Sequence, residues 1–291
     1  MRSRLVLFCL SVVLLSSCAK TRIKEHKDWG KYFEAEGIKS GCFMLRDQTH
    51  ETIHYYNQER CTQRFLPAST FKIFNSLVAL ETAVAPDDEM VIKWDGVVRS
   101  HPEWNKDMNM REAFKVSNVA YYQEIARRIG ASRMQHYLDT VKYGNMKIGD
   151  KIDQFWLDTS LQITADEQVG FIKKLYFNEL PFAERTQRIV RSMMLQEDSS
   201  NYKLYYKTGT GVQGKDMIYW IVGFVERIEY VHENKDAMNK TNIRMYPYFF
   251  AQNFSMPLAD TAKDWMAVRK KILHQILSDY GAIPTAANAV H

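Results

Sequence analysis

Charge of one sign is scarce in this 291-residue chain. Thirty-nine Lys and Arg stand against 34 Asp and Glu, a formal net charge of +5. Setting aside Arg2 and Arg4 leaves +3. So small a surplus, with no Lys/Arg stripe interleaved with aromatics, gives a nucleic-acid partner no footing. Metal-ligand patterns are missing as well. Eight histidines are scattered without an H-E-x-x-H, and four cysteines form no Cys/His cluster, so no metal is expected. Long apolar runs are absent: the one present, Leu5–Leu15, is too short to be a comfortable membrane span. There are no internal repeats and no low-complexity tract. What remains is 46% hydrophobic, an ordinary globular composition long enough for one large domain or two lobes sharing a core.

The N-terminus has the build of an export leader. Arg2 and Arg4 precede the apolar run, and small Ser16 and Ser17 follow it, which are the n-, h- and c-regions of a secretory signal. Leu15-Ser16-Ser17-Cys18 resembles the bacterial lipoprotein signal, in which the cysteine becomes the lipidated first residue. Simple cleavage near Ser17 is the plainer alternative. Residues 1–17 are therefore expected to be removed and Cys18 to carry a lipid. The polar stretch 18–27 would tether the fold to a bacterial membrane, facing the periplasm. Cys42 and Cys61 then meet an oxidising compartment, where a disulfide can persist. Nothing in the spacing sets their Cα separation, so their pairing stays open.

The stretch that organises the chain is Phe65–Glu81, FLPASTFKIFNSLVALE. Phe71, Phe74, Leu77, Val78 and Leu80 recur at helical spacing, which puts Ser69 at a helix start and Lys72 one turn along the same face. A hydroxyl there sits near unpaired backbone N–H groups at the positive end of the helix dipole. Lysine one turn on can reach it as a base. Nucleophile, proton acceptor and oxyanion donors are the needs of a serine acylation site. The bland reading is a core helix capped by Ser69.

The rest of the chain gives the frame. Trp29–Ala35 suits a brief helix, and Ser40–Arg46 and Thr52–Asn57 suit a β-hairpin. The Ser69 helix is expected to end near Ala85-Pro86. Helices follow at Met110–Val116, Ala120–Ile129, Met134–Tyr143, Ala165–Tyr176 and Glu184–Leu195. Strands return at Tyr202–Lys207, Ile218–Tyr230 and Met245–Phe254, and a last helix covers Thr261–Ser278. Strands at both ends with helices between imply an α+β fold, one antiparallel sheet built from both termini with an inserted helical lobe. The expected division is a single domain of 28–284, with a sheet lobe of 28–66 and 200–284 and a helical lobe of 67–199. A disordered tail is expected from Ile283, with 285–291 outside the domain. Glu226–Arg244 is long and charged, a hairpin tip or a solvated loop.

Further signatures follow the Ser69 helix in order. Ser117-Asn118-Val119 lies where a helix should begin and offers a second hydroxyl; alone it is an N-cap. Tyr143-Gly144-Asn145 sits in a loop, where a turn is the ordinary explanation. Lys207-Thr208-Gly209 ends an aromatic strand and leads into a Gly-rich turn. Each is weak alone, but the ordered set S-x-x-K, S-x-V, Y-G-N, K-T-G is specific. With Gln154-Phe155-Trp156-Leu157 and Tyr219-Trp220-Ile221-Val222-Gly223, the chain from Trp29 to Tyr280 resembles the class D (oxacillinase-type) serine β-lactamases. Phe155-Trp156-Leu157 discriminates most, because sister classes place a catalytic glutamate in this loop. No such glutamate signature stands between Gln154 and Gln168.

The resemblance implies a β-lactamase/penicillin-binding-protein-like fold that hydrolyses β-lactams through a Ser69 acyl-enzyme and so confers antibiotic resistance. It implies no cofactor beyond carbon dioxide or bicarbonate, which carboxylates Lys72. A lysine buried against apolar groups loses its charge, and the neutral amine can add carbon dioxide. Phe71, Val119, Trp156 and Leu157 are the implied dry pocket, with the Trp156 indole as donor to the carbamate. Carboxylated Lys72 would act as general base in acylation and deacylation. Ser117 would relay a proton to the leaving nitrogen, and Lys207 would support that relay electrostatically and attract the substrate carboxylate. Thr208, Gly209 and Arg269 would bind the substrate carboxylate, and the N–H groups of Ser69 and Thr210 would form the oxyanion hole. A charged insertion lengthens the spacing from Lys207 to Arg269, so Arg269 also reads as an exposed helix residue. Rival readings are a sensor or penicillin-binding protein that acylates without efficient turnover, or a lipoprotein that kept the fold for binding. The intact Ser69, Lys72, Ser117 and Lys207 argue against the last. Monomer and homodimer stay open.

Overall fold

The computed structural model describes residues 22–233 and 240–284. The expected leader, Cys18, the tail 285–291 and the tip 234–239 of the charged insertion lie outside the described residues. The N-terminal part supplies β1 (Arg22–Glu25), α1 (Gly30–Glu34), β2 (Gly41–Asp47), β3 (Thr52–Tyr56) and α2 (Gln58–Cys61). The middle is mostly helical. It holds α3 (Lys72–Glu81), the short strands β4 (Val91–Ile92) and β5 (Met108–Asn109), then α4 (Met110–Lys115) and α5 (Val119–Ile129). α6 (Ala131–Val141), α7 (Ala165–Tyr176) and α8 (Glu184–Met193) complete it. β6 (Leu195–Asp198), β7 (Tyr202–Gln213), β8 (Asp216–Glu233), β9 (Lys240–Pro257) and α9 (Trp265–Tyr280) follow.

Strands from both parts join in one seven-stranded sheet, ordered β1-β3-β2-β9-β8-β7-β6. The period-2 alternation of a strand sorts its side chains onto two layers. Phe43 and Leu45 of β2 pack with Ile221 of β8 and with Ile272 and Ile276 of α9. Cys42 and Met44 face the other way, with Trp220 and Val222, into the layer that holds α3, α5 and α7. α9 buries Trp265, Val268, Arg269, Ile272, Leu273, Ile276 and Leu277, one stripe at helical spacing. α3 is buried along its length from Lys72 to Leu80, so the nucleophile helix lies between the helical layer and the sheet.

The sheet differs from the expected purely antiparallel one. β1 pairs parallel to β3, with Arg22 opposite Thr52, inside the stretch expected as a tether. All four of its residues are exposed, so it carries no apolar alternation to mark it. Ile283 is buried instead of opening a disordered tail. β7 runs six residues beyond Lys207, pairing Gly209 with Trp220 and Thr210 with Tyr219. The charged insertion is a two-stranded arm as far as Glu233 opposite Lys240.

Candidate active site

Ser69 stands not in an α-helix but in a 3-10 turn, Ala68–Phe71, and α3 begins at Lys72. Ala68, immediately before it, has φ +48°, a left-handed conformation that costs a non-glycine residue about 1 kcal/mol or more. The turn is held from several sides. The Ala68 N–H donates to the Trp156 carbonyl at 3.1 Å. Thr70 Oγ1 donates to the Pro67 carbonyl at 2.7 Å and accepts from Gln168 Nε2 at 2.9 Å. Lys72 Nζ donates to Ser69 Oγ at 2.7 Å, and its side chain is buried with the Tyr122 ring 5.5 Å away. Burial lowers its pKa from 10.5 to about 7, since removing water disfavours the ammonium. Near neutral pH a share of Lys72 is therefore free amine, able to accept the Ser69 proton.

Aromatic side chains close this corner against water. The Phe71 ring stacks on Trp156 at 5.2 Å and meets Phe155 edge-on at 5.0 Å and Tyr143 at 5.9 Å. Phe71, Phe155 and Trp156 are all buried, with Leu157 partly buried against the same cluster; Val119 opens α5 beside the motif serine. The Trp156 indole Nε1 is buried and has no hydrogen-bond partner among the described residues. An orphaned donor costs about 1–3 kcal/mol and asks for an acceptor. A carboxylate on the neighbouring lysine is such an acceptor, so the pocket fits a carbamate.

Ser117 is paired with the second motif lysine. It has φ +59° and precedes Asn118, which caps α5 by accepting from the Tyr121 N–H at 3.1 Å. The cap is thus Asn118, and the Ser117 hydroxyl is left for chemistry. Lys207 Nζ donates to Ser117 Oγ at 2.7 Å and to the Thr208 carbonyl at 3.2 Å. Burial holds Lys207 well below the usual lysine range, and the positive charges of Lys72, Arg269 and Lys270 add to this. Arg269 is buried rather than exposed. Its Nη1 donates to the Gly209 carbonyl at 3.0 Å and to Thr210 Oγ1 at 2.8 Å, so the charged insertion did not displace it. Burial lowers its pKa to about 10.

β7 passes the nucleophile turn with no room for a side chain. A Cβ on Gly209 would lie 2.8 Å from the Pro67 carbonyl oxygen and 3.0 Å from Thr70 Cγ2. Glycine there is a steric requirement. Tyr143-Gly144-Asn145 fastens the loop that carries Trp156. Asn145 Nδ2 donates to the Ser160 carbonyl at 2.8 Å, and its Oδ1 accepts from the Gln162 N–H at 3.0 Å. Gly144 has φ +57°, and a Cβ would strike the Gln162 carbonyl. Glu167, the first glutamate after this loop, forms a capping box with Thr164 and pairs with Arg64, so it is committed elsewhere.

Three supports escaped the sequence. Gln168 reaches from α7 to Thr70, Trp220 Nε1 donates to the Leu66 carbonyl at 2.9 Å, and Gln213 Oε1 accepts from the Leu66 N–H at 3.0 Å. They brace the chain on both sides of Ser69, at Leu66 and at Thr70, across more than 90 residues, and only the folded chain joins them. A separate cavity of about 380 Å³ is lined by Trp94, Arg99, Trp104, Asn118, Tyr121 and Arg128, among others. None of Ser69, Lys72, Lys207 and Arg269 lines it. Among the described residues, no group of three His, Cys, Asp or Glu could hold a metal, and no helix is long and apolar enough to cross a membrane.

A serine paired with a buried lysine, together with a second serine–lysine pair made between the loop ahead of α5 and strand β7, defines an acyl-transfer enzyme of the penicillin-binding-protein kind. In agreement, residues 32–232 match the family described as the penicillin binding protein transpeptidase domain. The chain is 38% identical over 270 residues to the protein named Beta-lactamase OXA-48 from Klebsiella pneumoniae, covering 93% of this chain and 95% of that one. Two solved class D β-lactamases are similar in structure. The one from Sebaldella termitidis has a TM-score of 0.80 and 31% identity, over 91% of this chain and all of its own. The one from Nostoc has a TM-score of 0.74 and 40% identity, over 85% and 98%. The chain belongs to the class D serine β-lactamases.

Proposed function

We propose that the chain hydrolyses the amide bond of β-lactams through an ester on Ser69. The observation that carries this reading is the Lys72 Nζ–Ser69 Oγ contact of 2.7 Å beside the partnerless indole of Trp156. Ser69 attacks the lactam carbonyl as its proton passes to a base. Carbon dioxide added to the neutral Lys72 amine supplies that base as a carbamate, for acylation and for the water that frees the acid. Trp156 holds the added carboxylate with its N–H, while Phe71, Val119 and Leu157 keep the pocket dry. The Ser69 and Thr210 N–H groups stabilise the oxyanion, each typically worth about 100- to 1000-fold in rate. Ser117 delivers a proton to the departing nitrogen, polarised by Lys207. Thr208, Gly209 and Arg269 receive the substrate carboxylate.

The electrostatics support the same state. Lys207 is disfavoured as a cation partly by Lys72. Turning Lys72 from a cation into an anion replaces that repulsion with an attraction, which favours the charged form of Lys207 against the burial that lowers it. The exported, lipid-anchored lifestyle rests on Leu5–Cys18, and the division into sheet and helical lobes within 28–284 rests on the strand–helix–strand order. The test is Trp156→Phe, which keeps the apolar ring and removes the donor. Its turnover is expected to fall and to recover with added bicarbonate. Turnover equal to wild type at every bicarbonate level would show that Lys72 acts without a carbamate.

A further inference from the structure

Cys42 and Cys61 take no part in the catalytic arrangement, yet both thiols are fully buried in the same layer of the core. Cys42 lies on β2 opposite Asn253 of β9, and Cys61 ends α2. The backbone around them is tied together at several points. Asn57 Nδ2 donates to the Gly41 carbonyl at 3.0 Å, and its Oδ1 accepts from the Arg60 N–H at 3.2 Å. Arg60 Nη1 donates to Ser40 Oγ at 2.8 Å, and Nη2 to Ser255 Oγ at 2.7 Å. These bonds hold the end of α2 against the start of β2, and both cysteines are free thiols that enter the same core cluster at that junction. The Cys61 thiol donates to the Tyr56 carbonyl at 3.8 Å, and the neighbouring Cys42 side chain together with burial pushes the Cys61 thiol up. The Arg60 guanidinium, buried under the Phe65 ring at 4.3 Å, also reaches the Cys42 side chain.

We propose that Cys42 and Cys61 are joined as a structural disulfide that pins α2 to β2, just ahead of the Ser69 turn. The oxidant is a disulfide-bearing thiol–disulfide exchange partner, met during folding, because in the folded chain neither sulfur is exposed. The Cys42 thiolate, facing Arg60, attacks the oxidant's disulfide and releases one thiolate. The Cys61 sulfur, giving up its proton, then attacks the Cys42 sulfur of the mixed disulfide and releases the second. The protein loses two electrons and two protons, and the oxidant gains them. The closed loop runs from residue 42 to residue 61 and includes β3 and α2. Constraining it in the unfolded chain stabilises the fold without touching the reacting atoms. The proposal rests on export only for where the oxidant is met.

The test is peptide mapping of the full chain purified after export, alkylated in denaturant without reduction and cut with trypsin. A linked pair is expected, Ser40–Arg46 joined to Cys61–Arg64, which separates on reduction. The same mapping is done after refolding in reduced and oxidised glutathione. A linked pair after refolding but free thiols in the exported protein would show that the pair can close yet is not joined in the cell, and would overturn the proposal. Both peptides alkylated in both preparations would overturn the proposal. Cys42→Ala and Cys61→Ala should each lower the thermal midpoint, by about 5–10 °C. β-lactam turnover of the folded variants should be unchanged. Melting as high as wild type would contradict the cross-link.

Discussion

At the scale of the residue, the base role proposed for Lys72 depends on its being dry. Its pKa, lowered from 10.5 to about 7 by burial, links catalysis to stability. Between pH 7 and 10.5 the unfolded chain holds a proton that the folded chain has released, so stability rises with pH across that window and is poorest below it. Lys72→Met removes the penalty. Without bicarbonate, it should melt above wild type at pH 6, with the gap closing towards pH 10; a gap constant with pH would mean Lys72 is not held neutral. Ser69→Ala deletes one hydroxyl from a turn that Thr70, Gln168 and Trp156 brace independently. Its far-ultraviolet circular dichroism should match wild type while β-lactam turnover disappears. Ser69 and Lys72 were legible because a three-residue spacing on an apolar periodicity has one geometric meaning. The left-handed Ala68 and the partnerless Trp156 nitrogen were not, since each is a property of the surroundings rather than of the residue.

At the scale of the element, β7 and the Tyr143–Asn145 loop set the precision of the site. Gly209→Val forces branched carbons against the Pro67 carbonyl and Thr70. It should lower kcat/KM by about 100-fold or more, in keeping with an ångström's misplacement of a reacting group, and crystallography should find β7 displaced from the turn. Arg269 acts from α9 on the same strand. On the proposed role of receiving the substrate carboxylate through charge-assisted bonds, Arg269→Ala should raise KM by about 10- to 100-fold, with a smaller change in kcat measured on a penicillin. Most helices were legible from apolar periodicity and caps, as at α7, where Thr164 and Glu167 form a capping box. β1 was not, because its exposed Arg-Ile-Lys-Glu has no buried face and its pairing with β3 is purely backbone. The reach of β7 beyond Lys207 was hidden by its glycines, which lower strand propensity and are retained for close approach.

At the scale of the whole molecule, strands from both ends close one sheet around a buried nucleophile helix. The order of strands and helices along the chain was enough to foresee that closure. The seven-strand order and its parallel edge needed the folded chain, because register depends on partners far apart in sequence. The leader implies a place for the protein as well as a shape. Cys18→Ser should move it from the membrane to the soluble fraction when cells are fractionated, and a native protein found wholly soluble would contradict lipid anchoring.

The most direct measurement is penicillin hydrolysis by the soluble fragment beginning near Lys20, with and without bicarbonate, alongside mass spectrometry of the protein during turnover. The account predicts fast hydrolysis that rises with bicarbonate and a transient adduct on Ser69. A stable adduct with little turnover would contradict it, leaving a sensor or penicillin-binding protein on the same fold.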